Sequence, residues 1–332
     1  MKIGILANGS DKIGMGHIMR MSALGKYFRE KGHHVTFFSE YIEGIKYLET
    51  LNFDVLYISI EDQYKSVSRL CEDEKICVIL ADYYDLPKDF FENFSESILK
   101  ITMDDIYKEY NNCDVVINGN IFADASKYNS FKEEDLWIGK DYLILRDEFY
   151  LSPKKVFVQE IRSVMITTGG TDIFGSMEYL IDTVLLIKSI QEINVIIGSA
   201  FNNRDVLIEK YKGNSRVKLL ENQVMSEVMI KSDVAISASG STTYELLCLN
   251  VPTASFLMID NQKDLYKYLV NKDLVYGLGD VEDIKSGNLE NLIREFLRNE
   301  VLREIYSNIF KYDIGNGKSN ILDNIKRFKR RS

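Results

Sequence analysis

Short apolar runs, each followed by an amphipathic stretch, recur along the chain, and the pattern begins twice. Lys2–Leu6 is the first near-continuous apolar run and predicts a strand. The Asn8–Gly16 loop follows, then a helix over Ile18–Lys31 with Met21, Leu24, Tyr27 and Phe28 near helical spacing and Gly32 as its stop. His34–Ser39, Asp54–Ile58, Cys77–Leu80, Leu99–Met103 and Val115–Asn118 predict further strands, with helical segments between most of them. Leu145–Gln159 has no clear period and carries Pro153 among polar residues, which marks a linker. Beyond it, a strand over Ser163–Thr168, a helix over Ser176–Ser189, and strands over Asn194–Gly198, Val217–Leu220, Val234–Ser237 and Ala254–Ile259 restart the scheme. Strands rich in Val, Ile and Leu that alternate with helices predict parallel sheets covered on both faces. Two such domains are expected, at 1–148 and 149–332, with the last helix a candidate to pack back on the first.

Composition narrows the class. The 332 residues suit two domains of roughly 100–200 residues each. Apolar residues at 45% and charged ones at 27% exclude a disordered chain. The net charge of −9 argues against a nucleic-acid partner, which needs an excess of cations to meet phosphates. The one basic stretch, Lys326, Arg327, Lys329, Arg330 and Arg331, reads as cations at the negative end of a last helix, with an RNA or membrane contact as the alternative. No run approaches the ~20 apolar residues of a spanning helix. Met1–Ala7 lacks the charge and cleavage site of an export signal, so a soluble, cytoplasmic protein without membrane insertion is expected. Cys71, Cys77, Cys113 and Cys248 have no ligand spacing, and only three histidines accompany them. No metal and no cofactor are expected, and no oligomeric partner is read from the sequence. Cys71 and Cys77, on the approach to an apolar strand, read as small buried hydrophobes in a reducing compartment.

The candidate chemistry lies at predicted strand ends. Ile13-Gly14-Met15-Gly16-His17-Ile18-Met19-Arg20 joins a tight glycine turn to a helix start whose free N–H groups suit polar or anionic atoms. His17 there can take a proton near neutral pH, or simply cap or pack at the helix start. His33 and His34, between a helix stop and a strand, read as structural. Asp82-Tyr83-Tyr84 and Asp104-Asp105 follow apolar runs and suit acids that orient His17 or hold hydroxyl groups; helix capping is the alternative. Adjacent acids on an extended segment face opposite ways, which argues against a metal site. In the second half, Gly169-Gly170-Thr171-Asp172 ends a strand, and Ala238-Ser239-Gly240-Ser241-Thr242-Thr243-Tyr244-Glu245 leads into a helix. Small hydroxyl residues with glycine at a helix start make a diphosphate cradle, and Glu245 sits where it can accept from a ribose diol. Thr242 with Glu245 also fits a capping box. Asp260-Asn261-Gln262 adds an amide-rich strand end. Gly317-Lys318-Ser319 is no P-loop, because Tyr312 stands where a glycine is required. It reads as a turn before the last helix.

Taken in order, Gly14–Arg20, Ala81–Tyr84, Met103–Asp105, Thr168–Asp172, Ser237–Glu245, Asn261-Gln262 and Asp313–Lys318 resemble the UDP-2,4-diacetamido-2,4,6-trideoxy-β-L-altropyranose hydrolases of pseudaminic acid biosynthesis. More distantly the chain resembles the peptidoglycan N-acetylglucosaminyltransferase. The resemblance spans nearly the whole chain. It implies an α/β, GT-B-like fold of two Rossmann-like domains whose parallel sheets face a central cleft. It also implies metal-independent hydrolysis of a UDP-sugar, with UDP leaving the anomeric carbon. The resemblance implies that His17 is catalytic, that Glu245 holds the ribose and that Ser239, Gly240, Ser241 and Thr242 hold the phosphates. From their strand-end and loop positions Asp82 and Tyr83 are further catalytic candidates, and Gly14, Gly16, Arg20, Asp104, Asp105, Gly169, Gly170, Thr171, Asp172, Asn261 and Gln262 further substrate-binding candidates. A GT-B glycosyltransferase and a non-catalytic nucleotide-sugar binding subunit are the other readings. The family carries a basic and then an acidic residue before the glycine turn, where this chain reads Leu6-Ala7-Asn8-Gly9-Ser10.

Overall fold

A computed structural model describes residues 1–10, 12–59, 65–198, 201, 203–285 and 287–331, the side chains of Lys329–Arg331 excepted. The basic-tail reading therefore falls partly outside the described side chains. Two compact units emerge: Met1–Arg146 with Gly315–Ser332, and Asp147–Ile314.

The first unit carries β1 (Lys2–Ala7), α1 (Gly16–Glu30), β2 (His34–Ser39), α2 (Ile42–Thr50), β3 (Asp54–Tyr57), α3 (Lys65–Asp73), β4 (Val78–Asp82), β5 (Leu99–Met103), β6 (Val115–Asn118) and β7 (Leu136–Ile138). These strands form one seven-stranded parallel sheet, ordered β3-β2-β1-β4-β5-β6-β7. Every residue of β4 is buried, as strands with helices on both faces must be. Alternation divides the side chains of β1 and β4 between two cores. Ile3, Ile5, Val78 and Leu80 pack with Ile18, Met21, Leu24 and Phe28 of α1. Leu6, Ile79, Ala81 and Tyr83 face the other way, onto Cys71 of α3 and Phe90–Phe94. Cys71 thus lies on a helix, where burial pushes its thiol up to about 12, and Cys77 is only half-buried. Helix α1 ends at Glu30, one residue short of the expected Lys31. Gly32 N–H then donates to Arg29 and His33 N–H to Phe28, which satisfies its last carbonyls.

The second unit runs α4 (Asp147–Leu151), β8 (Ser163–Thr167), α5 (Ser176–Leu185), β9 (Glu192–Ile196), α6 (Arg204–Tyr211), β10 (Val217–Leu220), α7 (Met225–Lys231), β11 (Val234–Ala238), α8 (Ser241–Cys248), β12 (Thr253–Leu257), α9 (Lys263–Asn271), β13 (Tyr276–Asp280), α10 (Val281–Lys285), α11 (Leu289–Phe296) and α12 (Asn299–Tyr312). Its sheet has six parallel strands ordered β10-β9-β8-β11-β12-β13. Helix α4 occupies part of the predicted linker.

The last helix, α13 (Gly317–Arg331), belongs to the first unit: Ile321, Leu322 and Ile325 join the core beneath α1. Gly317 makes this docking possible. A Cβ there would stand 2.0 Å from the Leu143 carbonyl oxygen, so any side chain would lift the first turn off its seat.

Strand order fixes where a ligand can sit. In the first sheet the chain reverses its winding between β1 and β4, in the second between β8 and β11. Crevices of such sheets open at the carboxyl ends of those strands. Among the described residues no helix is long and apolar enough to cross a membrane, and no three His, Cys, Asp or Glu side chains group as metal ligands.

Candidate functional site

In the first unit the winding switch holds a charged cluster. Asp82 ends β4, opposite Ala7 of β1, and is 1% exposed. By the alternation of β4 its side chain points to the α1 face. His17, second residue of α1, places Nδ1 2.7 Å from Asp82 Oδ1. Arg20, one helical turn later, shares that face. Its Nε donates to Asp82 Oδ2 at 2.9 Å, Nη2 to Oδ1 at 2.6 Å, and Nη1 to Asp105 Oδ2 at 2.9 Å. Asp105, just past β5, also accepts from Asn120 Nδ2 at 3.1 Å. Tyr84 sets its ring edge-on to His17 with centroids 4.5 Å apart, and its hydroxyl donates to Asp105 at 3.4 Å.

Electrostatics fix the proton positions. Burial opposes an ionised Asp82, but the Arg20 charge and the hydrogen bonds from His17 and Arg20 outweigh it and hold the carboxyl below its ordinary range. A carboxylate only accepts, so Nδ1 carries a proton, and in the neutral ring the lone pair is then on Nε2. The same neighbours act on Tyr84: burial and then Asp105 push its hydroxyl up to about 12, which keeps it a donor. Arg20 stays charged; burial works against this and the two carboxylates prevail.

Several expected residues lie elsewhere. Tyr83, one residue past Asp82, alternates to the other face and is buried among Leu6, Phe38 and Phe90. The ring set against His17 is that of Tyr84. Asp104 is spent on the exit of β5, accepting from the N–H groups of Ile106, Tyr107 and Lys108 and from the Tyr128 hydroxyl at 2.6 Å. Arg20 is occupied by carboxylates. Gly14 and Gly16 are exposed at the turn into α1.

In the second unit, Gly169–Thr171 follows β8 and Ser239–Thr242 follows β11, so both loops flank the second winding switch. Asp172 is engaged at the start of α5. Its two oxygens accept from the Ser176 and Met177 N–H groups and cap α5. Helix α8 starts at Ser241 with Gly240 as its cap and no side-chain cap bond, which removes the Thr242–Glu245 capping box. Ser239 is fully buried, its hydroxyl 2.6 Å from that of Ser255. Ser241 and Thr242 stand at the first turn, where helix N–H groups lack intrahelical partners. Glu245 lies half-buried one turn on. Gln262 accepts from Met258 N–H, and its Nε2 lies 3.7 Å from where a Gly240 Cβ would be, beside exposed Asn261. Gly198 had no signal in the sequence beyond its residue type. A Cβ there would meet the Gly170 carbonyl oxygen at 2.5 Å, so the Gly169-Gly170 turn rests directly on it.

The pair of parallel-sheet, Rossmann-like units defines a GT-B-like fold. A. baumannii MurG superposes with a TM-score of 0.68 at 13% identity, over 98% of this chain and 99% of that one. S. aureus MnaA, in a structure with UDP, gives 0.63 at 12% identity over 98% and 96%. No protein-family model matches the chain. In sequence it is similar to an uncharacterized protein of Methanocaldococcus jannaschii, 28% identical over 82% of the chain, and the match spans only 59% of that relative's length. The spore coat polysaccharide biosynthesis protein SpsG of Bacillus subtilis is 24% identical over 84% of both chains. The UDP-2,4-diacetamido-2,4,6-trideoxy-β-L-altropyranose hydrolase of Campylobacter jejuni is 25% identical over 82% of this chain and 97% of its own.

Proposed function

We propose that this chain is an enzyme of nucleotide-sugar metabolism that hydrolyses a UDP-linked amino-deoxy sugar and releases UDP from the anomeric carbon. The observation that carries the reading is the His17–Asp82 pair, which leaves Nε2 of His17 as a base at a winding switch. Water attacks the anomeric carbon and gives its proton to Nε2. The carbon–oxygen bond breaks with its electron pair going to the β-phosphate of UDP. A diphosphate leaves without strong acid help, so one base suffices where ordinary glycosidases use two carboxylates. In this scheme the second unit holds the nucleotide. Ser241, Thr242 and the α8 start meet the diphosphate, Glu245 the ribose, and Gln262 borders that loop. The similarity to the C. jejuni hydrolase supports the choice of reaction and a role in pseudaminic-acid-type sugar synthesis.

A transferase is the second reading. Ile13, Tyr84 and Ile106, after β1, β4 and β5, expose apolar surface that an acceptor would cover. The two readings part in one experiment: a panel of UDP-sugars is incubated with the protein, without acceptor and in EDTA, and UDP release is followed. Hydrolysis predicts turnover on at least one amino-deoxy sugar, undiminished by the chelator. UDP release only with an added hydroxyl acceptor would make it a transferase; loss in EDTA restored by magnesium would contradict metal independence.

The nucleotide assignment has its own test. Glu245→Ala is expected to weaken UDP binding by about 1–3 kcal/mol, the worth of charge-assisted hydrogen bonds to a diol. Unchanged affinity by calorimetry in the folded variant would remove the ribose role.

A further inference from the structure

We propose that Asp105, held by Asn120, is a positioning residue that acts on His17 through Arg20 and Asp82. The inference rests on the hydrolase reading for its kinetic consequence, and on geometry alone for its spectroscopic one.

Oδ1 of Asp82 receives both Nδ1 of His17 at 2.7 Å and Nη2 of Arg20 at 2.6 Å. The two donors compete for one oxygen. Arg20 alone would cancel the charge of Asp82 and leave a neutral pair behind His17. When Nε2 takes a proton, the resulting imidazolium needs a net negative neighbour. Asp105 supplies it: with a second carboxylate on the same guanidinium, the group behind His17 carries one negative charge throughout, so the cluster with His17 included goes from one negative charge before proton transfer to none after. Asp105 also fixes orientation. By taking Nη1 it holds the planar guanidinium so that Nε and Nη2 face Asp82 together. Asn120 in turn donates to the other Asp105 oxygen, and its own N–H donates to Asn118 Oδ1 at the end of β6. The chain of contacts therefore ties the carboxyl ends of β4, β5 and β6 to one imidazole. Asp105 needs no contact with substrate to matter.

The test uses the full chain, three variants of the Asp105 contacts and His17→Asn for assignment. Asp105→Asn keeps the shape and loses the charge. It is expected to lower kcat about 10- to 100-fold, as loss of a partner behind a working ligand does, with KM within about twofold. Asp105→Glu restores the charge and should recover part of the loss. Asn120→Ala removes the donor to Oδ1 of Asp105 without discharging it, while Arg20 and Tyr84 still hold Oδ2, and should fall between. A readout without substrate runs alongside: the Nδ1 proton of His17 in protein carrying ¹⁵N-histidine, assigned among three histidines by its absence in His17→Asn. In Asp105→Asn the unopposed Arg20 draws density from Asp82, so that hydrogen bond weakens and the resonance moves upfield; Asp105→Glu moves it back. An unchanged resonance in Asp105→Asn overturns the proposal, whatever the kinetics. A raised KM at constant kcat makes Asp105 a substrate contact and also overturns it. If no UDP-sugar is turned over by the native protein, the hydrolase reading fails while the resonance still decides the role of Asp105.

Discussion

His17→Asn is expected to lower kcat for UDP release by about 10²–10⁴-fold, the usual worth of a positioned acid–base group. Asparagine can fill the place of Nδ1 with its amide and keep a hydrogen bond to Asp82, but it offers no basic nitrogen toward water. KM for the UDP-sugar should change little, because nucleotide affinity is assigned to Glu245 and the α8 start. Steady-state kinetics of UDP release, with calorimetry of UDP binding as the control, make the measurement. Raised KM at constant kcat would turn His17 into a binding residue, and the base would have to be sought elsewhere. Retained kcat and KM together would leave the imidazole a structural group at the start of α1. Its ring is only 12% exposed, so circular dichroism of the variant belongs with the kinetics as the check that it is folded.

Much of this arrangement was legible in the residues. The apolar runs that became β1, β4, β8 and β11 are near-continuous, and the glycine turns after β1 and β8 interrupt them sharply. Parity was not legible. The expected strand stops at Leu80, whereas β4 runs on to Asp82 and carries its alternation through to the acid. Asp82 and Tyr84 therefore share the α1 side and Tyr83 does not, which neither composition nor spacing announces. The acids Asp104 and Asp105 posed the same problem, and the fold gave one to a turn and the other to Arg20. Asn120 carries no motif at all; it matters because β6 lies beside β5 in the sheet. The strands β7 and β13 escaped for a plainer reason. Leu136–Ile138 is three residues long, and Tyr276–Asp280 contains two glycines that weaken any strand signal. Gly198 is a single glycine whose need arises only when the Gly170 carbonyl is laid over it.

Asp82→Asn should damage both the chemistry and the fold, and pH separates the two. The amide presents one acceptor oxygen and one NH₂ to three donors, Nδ1 of His17 and Nε and Nη2 of Arg20. Either the imidazole turns to its other tautomer and loses its free Nε2, or Arg20 loses its bidentate partner. A fall in kcat of about 10⁴-fold is expected if the tautomer changes. Stability should fall by about 2–3 kcal/mol, at or below the lower end for breaking a buried ion pair, because Arg20 is 24% exposed and keeps Asp105. The sign with pH follows from the carboxyl of Asp82, which is held below its ordinary value of 3.8 in the folded chain. A lowered folded value means that the native state binds fewer protons than the unfolded chain near that pH. The stabilisation from Asp82 is then fully present above the ordinary carboxylate range, and it is lost as pH falls through the lower folded value. Native protein and Asp82→Asn should therefore differ most in urea midpoint near neutral pH and converge in acid. A gap that stays constant from neutral pH into acid would mean that Asp82 is not an ionised partner of Arg20 and His17, and the base assigned to His17 would lose its orienting charge.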